Sequence, residues 1–237
     1  DTEDFAISGW FNRSTFTTID VIASKWDGSS PGYRVYIDDS NDTLHLQIFD
    51  GTDTYALDAL GTAFTSAGWH HFVAVWDQDS PANTEIYVDG VGLNATDTGT
   101  IGNIGTLVNS VALSIADTPG AGLQFAGSLD EIRIYDRVLS PDEISALYKT
   151  TTPTGVDTGL KGYWSFNGPD VSGTTAYDRS GGGSDGTLTN GPTKVIGKLG
   201  QALNFDGTDD YVNAGSAAII DNLTNMSVCL WVNPDTI

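Results

Sequence analysis

Two stretches at opposite ends of the chain read as one β-strand written twice. "DFAISGWFNRST" runs from Asp4 to Thr15 and "NMSVCLWVNPDT" from Asn225 to Thr236, with Trp231 standing where Trp10 stands and Asn233 where Asn12 stands. In each, side chains alternate between faces: Phe5, Ile7 and Gly9 oppose Ala6, Ser8 and Trp10, as Met226, Val228 and Leu230 oppose Ser227, Cys229 and Trp231. A repeat spaced by about one large β-sandwich allows two arrangements, two truncated copies of a tandem domain or one copy opened inside this strand. Between the copies lie short alternating runs bounded by Gly, Asp, Asn, Ser and Thr: "YRVYID" from Tyr33, "TLHLQIFD" from Thr43, "WHHFVAVWD" from Trp69, "TEIYVDG" from Thr84, "ALSIAD" from Ala112 and "DEIRIYD" from Asp130. Runs of this length and spacing predict an all-β fold, a two-sheet antiparallel β-sandwich.

One helix signal interrupts the pattern, near residues 140–149. In "SPDEISALYKT", Ser140 can cap, Pro141 takes the first helical position, Glu143 completes a capping box, and Ile144, Leu147 and Tyr148 form an apolar face. "TTPTGVDTG", residues 151–159, reads as a polar linker. New strands then begin with "GYWSF", "QALNFDG", "YVNAG" and the closing "MSVCLWV".

With 237 residues, 39% of them hydrophobic and six of them Trp, the chain can fill a core. Its 31 acidic against 10 basic residues leave a net charge of −21, which repels phosphate backbones and anionic lipid, so neither a nucleic-acid partner nor membrane insertion is expected. Only Glu3, Glu85, Glu131 and Glu143 are Glu, so the excess is Asp, a turn former that also suits hard cations. Cys229 is alone, which excludes an internal disulfide, and its place in an alternating strand suggests a small core side chain. No apolar run is long enough to span a bilayer, and no signal peptide or lipidation motif is visible.

Taken in cyclic order, these segments resemble the LamG-like domains of the concanavalin A-like lectin/glucanase superfamily. The later part of that pattern comes first, as "GWHHFVAVWD", "IYVDG" and "FAGSLDEIRIYDRVLSPDEISALY". The early part comes last, as "GLKGYWSFN", "AYDRSGGGSDGTL" and "GQALNFDGTDDYVNAG". The resemblance implies a concanavalin A-like jelly roll in circularly permuted order. Residues 1–150 would form its back portion and residues 160–237 its front, joined by linker 151–159 into one sandwich, with strand 4–15 duplicated at 225–236. In the family the first strand lies beside the last, so "GYWSF" is expected to pair with "DEIRIY". Two half sandwiches would instead expose unpaired edges and favour strand exchange, so the expected state is a monomer or a strand-exchanged homo-oligomer.

The superfamily's glucanases use paired carboxylates, but two Glu around an Asp at alternate positions are absent here, and no catalytic residue is assigned. Asp38, Asp39 and Asp50 end strands and read as turn residues. His70 and His71 are adjacent in an alternating strand and point to opposite faces, which is poor geometry for a shared metal or proton relay. A calcium site has better support. "YDRSGGGSDG" sets Asp178, Ser180, Ser184 and Asp185 among glycines, supplying carboxylate, hydroxyl and freely aimed carbonyl oxygens. The family carries calcium between this loop and the strand written here "SLDEI", which the resemblance maps onto Asp178 and Asp130 with loop oxygens near Gly183 and Ser184. Gly182 and Ser184 stand where the family more often has Asn, so side-chain ligands can be replaced by water. Strict alternation also points Asp130 inward with Ile132 and Ile134, where a lone carboxylate is costly. For a ligand, the outward-facing set is Arg34 and Tyr36 on one strand and His45, Gln47 and Phe49 on the next, aromatics beside polar donors as sugar recognition requires.

The expected function is a non-catalytic carbohydrate-binding or adhesion module, secreted or on the cell surface, with structural Ca2+ and a glycan or surface-protein ligand. A ligand-free spacer repeat of a larger surface protein is the alternative, and a glycoside hydrolase a third.

Overall fold

The strand Ala126–Tyr135 is the axis of the first sheet. In the computed structural model, which describes residues 4–13, 19–38, 42–59, 68–93, 95–149, 158–215 and 227–232, this strand is paired along both edges. Phe5–Arg13 runs antiparallel to one edge, with Ile7 opposite Ile134 and Phe11 opposite Leu129. The other edge carries Gln201–Asp206, with Gly127 opposite Phe205, and Leu160–Trp164, with Ile132 opposite Trp164. The pairing expected between "GYWSF" and "DEIRIY" is therefore present. From Phe5–Arg13 the sheet continues through His70–Trp76 to Glu85–Val88. Residues 151–157 of the expected linker, Asp39, and the outer residues of the second strand copy lie outside the described residues.

The second sheet runs in the order Gly186–Thr189, Tyr211–Asn213, Ser114–Ile115, Asp20–Ser24, Gly32–Ile37, Leu44–Phe49, Thr54–Ala59 and Ala95–Thr98, each pair antiparallel. Together the sheets make the mostly β sandwich expected. Alternation sorts their faces: Tyr33, Val35, Ile37, Leu44, Leu46 and Ile48 are buried between the sheets, while Arg34, Tyr36 and Gln47 are half-buried on the opposite face. Residues from both ends of the chain meet in this core, Ile7, Phe11 and Trp76 packing in one cluster with Trp164, Phe166, Phe205 and Val212. Each such large apolar side chain contributes about 1.5–3 kcal/mol on leaving water.

The outer face of the first sheet is roofed by the helix Pro141–Lys149, whose Ile144 and Leu147 pack on Ala6, Val73, Val75 and Tyr135. Its capping box forms as expected: Ser140 N–H donates to Glu143 Oε2 at 2.9 Å and Glu143 N–H to Ser140 Oγ at 3.3 Å, with Arg137 holding the same carboxylate at 2.7 Å. Among the described residues no helix is long and apolar enough to cross a membrane.

Within Ala126–Tyr135, alternation fails at Glu131. Glu131 has φ +58°, a left-handed conformation rare for a residue with a side chain, and it forms a bulge that leaves both Leu129 and Ile132 facing the core. Asp130 is thereby set opposite Trp10 on the outer face rather than pointing inward with Ile132 and Ile134, correcting the expectation from strict alternation. Trp10 itself stacks on Tyr148 of the helix at 5.2 Å and lies 5.0 Å from the ring of His71.

His71 is fully buried here, with its Nε2 3.4 Å from Ser8 Oγ, and burial first, then the nearby Arg133 charge, pushes its pKa from 6.5 down to about 3. The folded chain keeps this ring neutral while the unfolded chain protonates it, so stability is lost as pH falls from about 6.5 towards 3. His71→Gln should therefore lose less melting temperature than the parent chain between pH 7 and pH 5 in parallel thermal scans; equal losses would show that His71 does not carry this dependence.

Candidate functional site

Across the outer face of the second sheet, planar side chains stand side by side. The strands Gly32–Ile37, Leu44–Phe49 and Thr54–Ala59 are registered so that Arg34 is opposite Gln47 and Gln47 opposite Ala56, and Tyr36 is opposite His45 and His45 opposite Asp58. Directly opposed residues on one sheet face lie about 4.5–5.5 Å apart, close enough for each row to touch. Arg34 Nε donates to Gln47 Oε1 at 2.7 Å, and its guanidinium lies 4.8 Å from the Trp26 ring centroid and 4.4 Å from that of Tyr36. Tyr36 stacks on His45 at 4.7 Å and 10°. His45 Nδ1 is 2.5 Å from Asp58 Oδ1 and its Nε2 2.8 Å from Thr43 Oγ1. Trp26 packs against Phe49 at 6.0 Å.

Of the five residues expected on the ligand face, Arg34, Tyr36, His45 and Gln47 thus share one face in a chain of contacts, and Phe49 packs on Trp26 beside them. Their use of that face differs from a flat stacking platform. The Arg34 guanidinium and the His45 imidazole both pack against the Tyr36 ring, and His45 is itself buried. Polar tips stay half-exposed along this row: the Arg34 guanidinium, which also hydrogen-bonds the Tyr36 hydroxyl, the Gln47 amide and the Asp58 carboxylate. Burial raises the Tyr36 phenol above its ordinary value, so the hydroxyl stays protonated and can donate. Trp26 and Asp58 join this face without having been expected there. Alternation in "TYALDA" is enough to reach Asp58, whereas Trp26 follows its strand in a turn and carries no periodic signal.

The expected metal residues fall into two sets. Asp178 ties its own loop: Oδ1 accepts from the amides of Tyr163 at 3.0 Å and Ser180 at 2.8 Å, and Oδ2 from that of Ser184 at 3.0 Å. Gly183, at φ +73°, turns the chain back so that the Ser184 amide reaches this carboxylate. Ser184 carbonyl oxygen accepts from Trp164 Nε1 at 3.0 Å, while its buried hydroxyl has no hydrogen-bond partner. Asp130 is fully buried; Oδ2 accepts from the amides of Lys198 at 2.9 Å and Leu199 at 3.1 Å, and Oδ1 has no partner. Burial, reinforced by Glu131, pushes the Asp130 carboxyl up to about 9. The hydrogen-bond donors of Asp178 and Asp130 have no member in common.

Elsewhere, a polar cleft of about 380 Å³ opens where Thr54–Ala59 nears Glu85–Val88, lined by Tyr55, Glu85, Leu93 and Asp97. Asp206, Asp209 and Asp210 bring carboxylate oxygens within 4.8 Å of one another, in a turn where Asp206 accepts the amides of Thr208 and Asp209.

Two stacked antiparallel sheets with a polar and aromatic array on one outer face define a lectin-like β-sandwich. Residues 1–145 match the laminin G-like profile of the concanavalin A-like lectin/glucanases superfamily, and the chain belongs to that family. Among curated proteins none matches it. Laminin G-like domains are typically non-catalytic modules that bind glycans or proteins, although the superfamily also contains glycosidases.

Because Asp178 accepts three backbone amides, Asp178→Ala should lower unfolding free energy by about 2–3 kcal/mol even in the presence of chelator. Urea unfolding measures it; a loss confined to calcium-containing buffer would show that loop closure does not depend on these bonds.

Proposed function

We propose that this chain is a non-catalytic binding module whose second-sheet outer face recognises neutral, hydroxyl-rich glycans. The supporting observation is the continuous contact of Trp26, Arg34, Tyr36, His45 and Asp58 on one face. Stacking fixes the side chains before a ligand arrives and so reduces the ordering cost of binding. Arg34 and Gln47 supply donors, Asp58 an acceptor and Tyr36 either, a mixture that suits sugar hydroxyls. The net charge of −21 disfavours polyanionic ligands. His45 spends both ring nitrogens on Asp58 and Thr43, which favours a positioning role over proton transfer to a substrate. The setting proposed is extracellular, secreted or at the cell surface.

A glycan array followed by calorimetry on the best neutral ligand tests this reading. Tyr36→Phe and Arg34→Ala should each weaken binding at least tenfold with the melting temperature kept within a few degrees. An array without signal above background would favour the ligand-free spacer.

We also propose a structural Ca2+ held through Asp130 and Asp178 with oxygens at Gly183 and Ser184. The support is chemical: Asp130 Oδ1 and Ser184 Oγ are buried oxygens without a hydrogen-bond partner, and a hard cation would satisfy such atoms. An ion binding only the folded chain stabilises it by about 2.7 kcal/mol at one hundred times its dissociation constant. Calcium should raise the melting temperature of metal-stripped protein, and Asp130→Asn should abolish that rise; a melting temperature indifferent to calcium would remove the site.

A further inference from the structure

The two copies of the repeated strand are registered on the same residues. Trp10 and Trp231 are each opposite Asp130, and Phe11 and Val232 are each opposite Leu129. Ser227–Val232 also lies close to Phe5–Arg13 and to His70–Trp76, the strand that flanks the first copy on its other side. Neighbouring strands are spaced about 4.8 Å apart, so one such slot seats one strand. We propose that Phe5–Arg13 and Ser227–Val232 are alternative occupants of a single slot within one chain, and that the ion pair of Arg13 biases the slot towards the first copy.

The bias follows from where the copies differ. Asn233 repeats Asn12, whose side chain accepts the Gly68 amide at 2.7 Å, but Pro234 stands in the place of Arg13. When the first copy is seated, Arg13 Nε donates to the fully buried Asp20 at 2.6 Å, and the same guanidinium reaches Asp42 and the Asp38 carbonyl. Asp20 also accepts the Ala126 amide at 3.0 Å from the neighbouring strand. Seating the second copy withdraws Arg13 and leaves Asp20 buried without its cation, a costly state. The second copy offers no such group, so the first is favoured although the apolar pattern of both suits the slot.

Cys229 makes the exchange observable. It is the chain's single cysteine and occupies the position of Ser8, which faces Val73 across an unbroken register with His70–Trp76. In the Val73→Cys variant, seating the second copy should bring the introduced thiol and Cys229 to disulfide distance, whereas Ala74→Cys, on the opposite sheet face, should not crosslink. Under mild oxidation, Val73→Cys should give a minor intramolecular disulfide by non-reducing electrophoresis and peptide mapping, and adding Arg13→Ala should raise its yield several-fold. Hydrogen exchange on the parent chain is the independent measurement: amides of residues 5–13 and 227–232 should both be partly protected, with Arg13→Ala moving protection from the first to the second. Absence of crosslink in both Val73→Cys chains, or full protection of 5–13 with none at 227–232 with and without Arg13→Ala, overturns the exchange. A crosslink found only between chains also overturns it and makes a second copy the occupant.

Discussion

Register in the first sheet depends on the bulge at Glu131. The left-handed residue inserts one position into Ala126–Tyr135, and without it either Leu129 or Ile132 would leave the core. Strained backbone of this kind persists where its surroundings over-determine it. Here the Glu131 carboxylate accepts from Arg133 at 2.6 Å and from the Tyr163 hydroxyl at 2.7 Å, and the Arg133 guanidinium lies 4.5 Å over the Tyr163 ring. Tyr163 comes from the strand that closes the far edge, so this buried cluster ties the bulge to residues from the later part of the chain. The same insertion turns Asp130 under the loop at Lys198 and Leu199, placing on the outer face a carboxylate that an alternating strand would have put between the sheets.

Much of the fold is legible in the sequence because period-two alternation maps directly onto sheet faces. "YRVYID" and "TLHLQIFD" sort as their alternation predicts, and the capping box in "SPDEISALYK" forms as written. The orientation of Asp130 is not legible, since a bulge at a Glu has no compositional mark of the kind a Gly would leave. The candidate binding face is half legible: alternation delivers Arg34, Tyr36, His45 and Gln47 to one side, but only cross-strand register shows that the Tyr36 ring packs against its neighbours. In the loop at Asp178 the glycines suggest freedom to aim oxygens at an ion, whereas the structure shows the carboxylate already engaged with three amides.

That engagement is general and explains why the acids are so largely Asp. Asp27 accepts the amides of Ser29 and Ser30, Asp50 those of Thr52, Asp53 and Gly105, and Asp206 those of Thr208 and Asp209. A one-methylene arm reaches the amides two and three residues on, which the longer Glu does less well. Each such bond favours the ionised form and lowers the carboxyl pKa, to about 2 at Asp27. Negative charge in this chain is thus partly a by-product of tight turns between strands.

The packed ring of Tyr36 has a thermodynamic corollary. Arg34 and His45 already pack against this ring, so a ligand docking over the row as proposed would remove more polar edge than fresh hydrocarbon from water. Heat-capacity change tracks apolar surface buried, and for the proposed ligand it would be small. Association of the proposed glycan on this face would therefore be of the enthalpic, hydrogen-bonded kind, with an affinity that declines on warming.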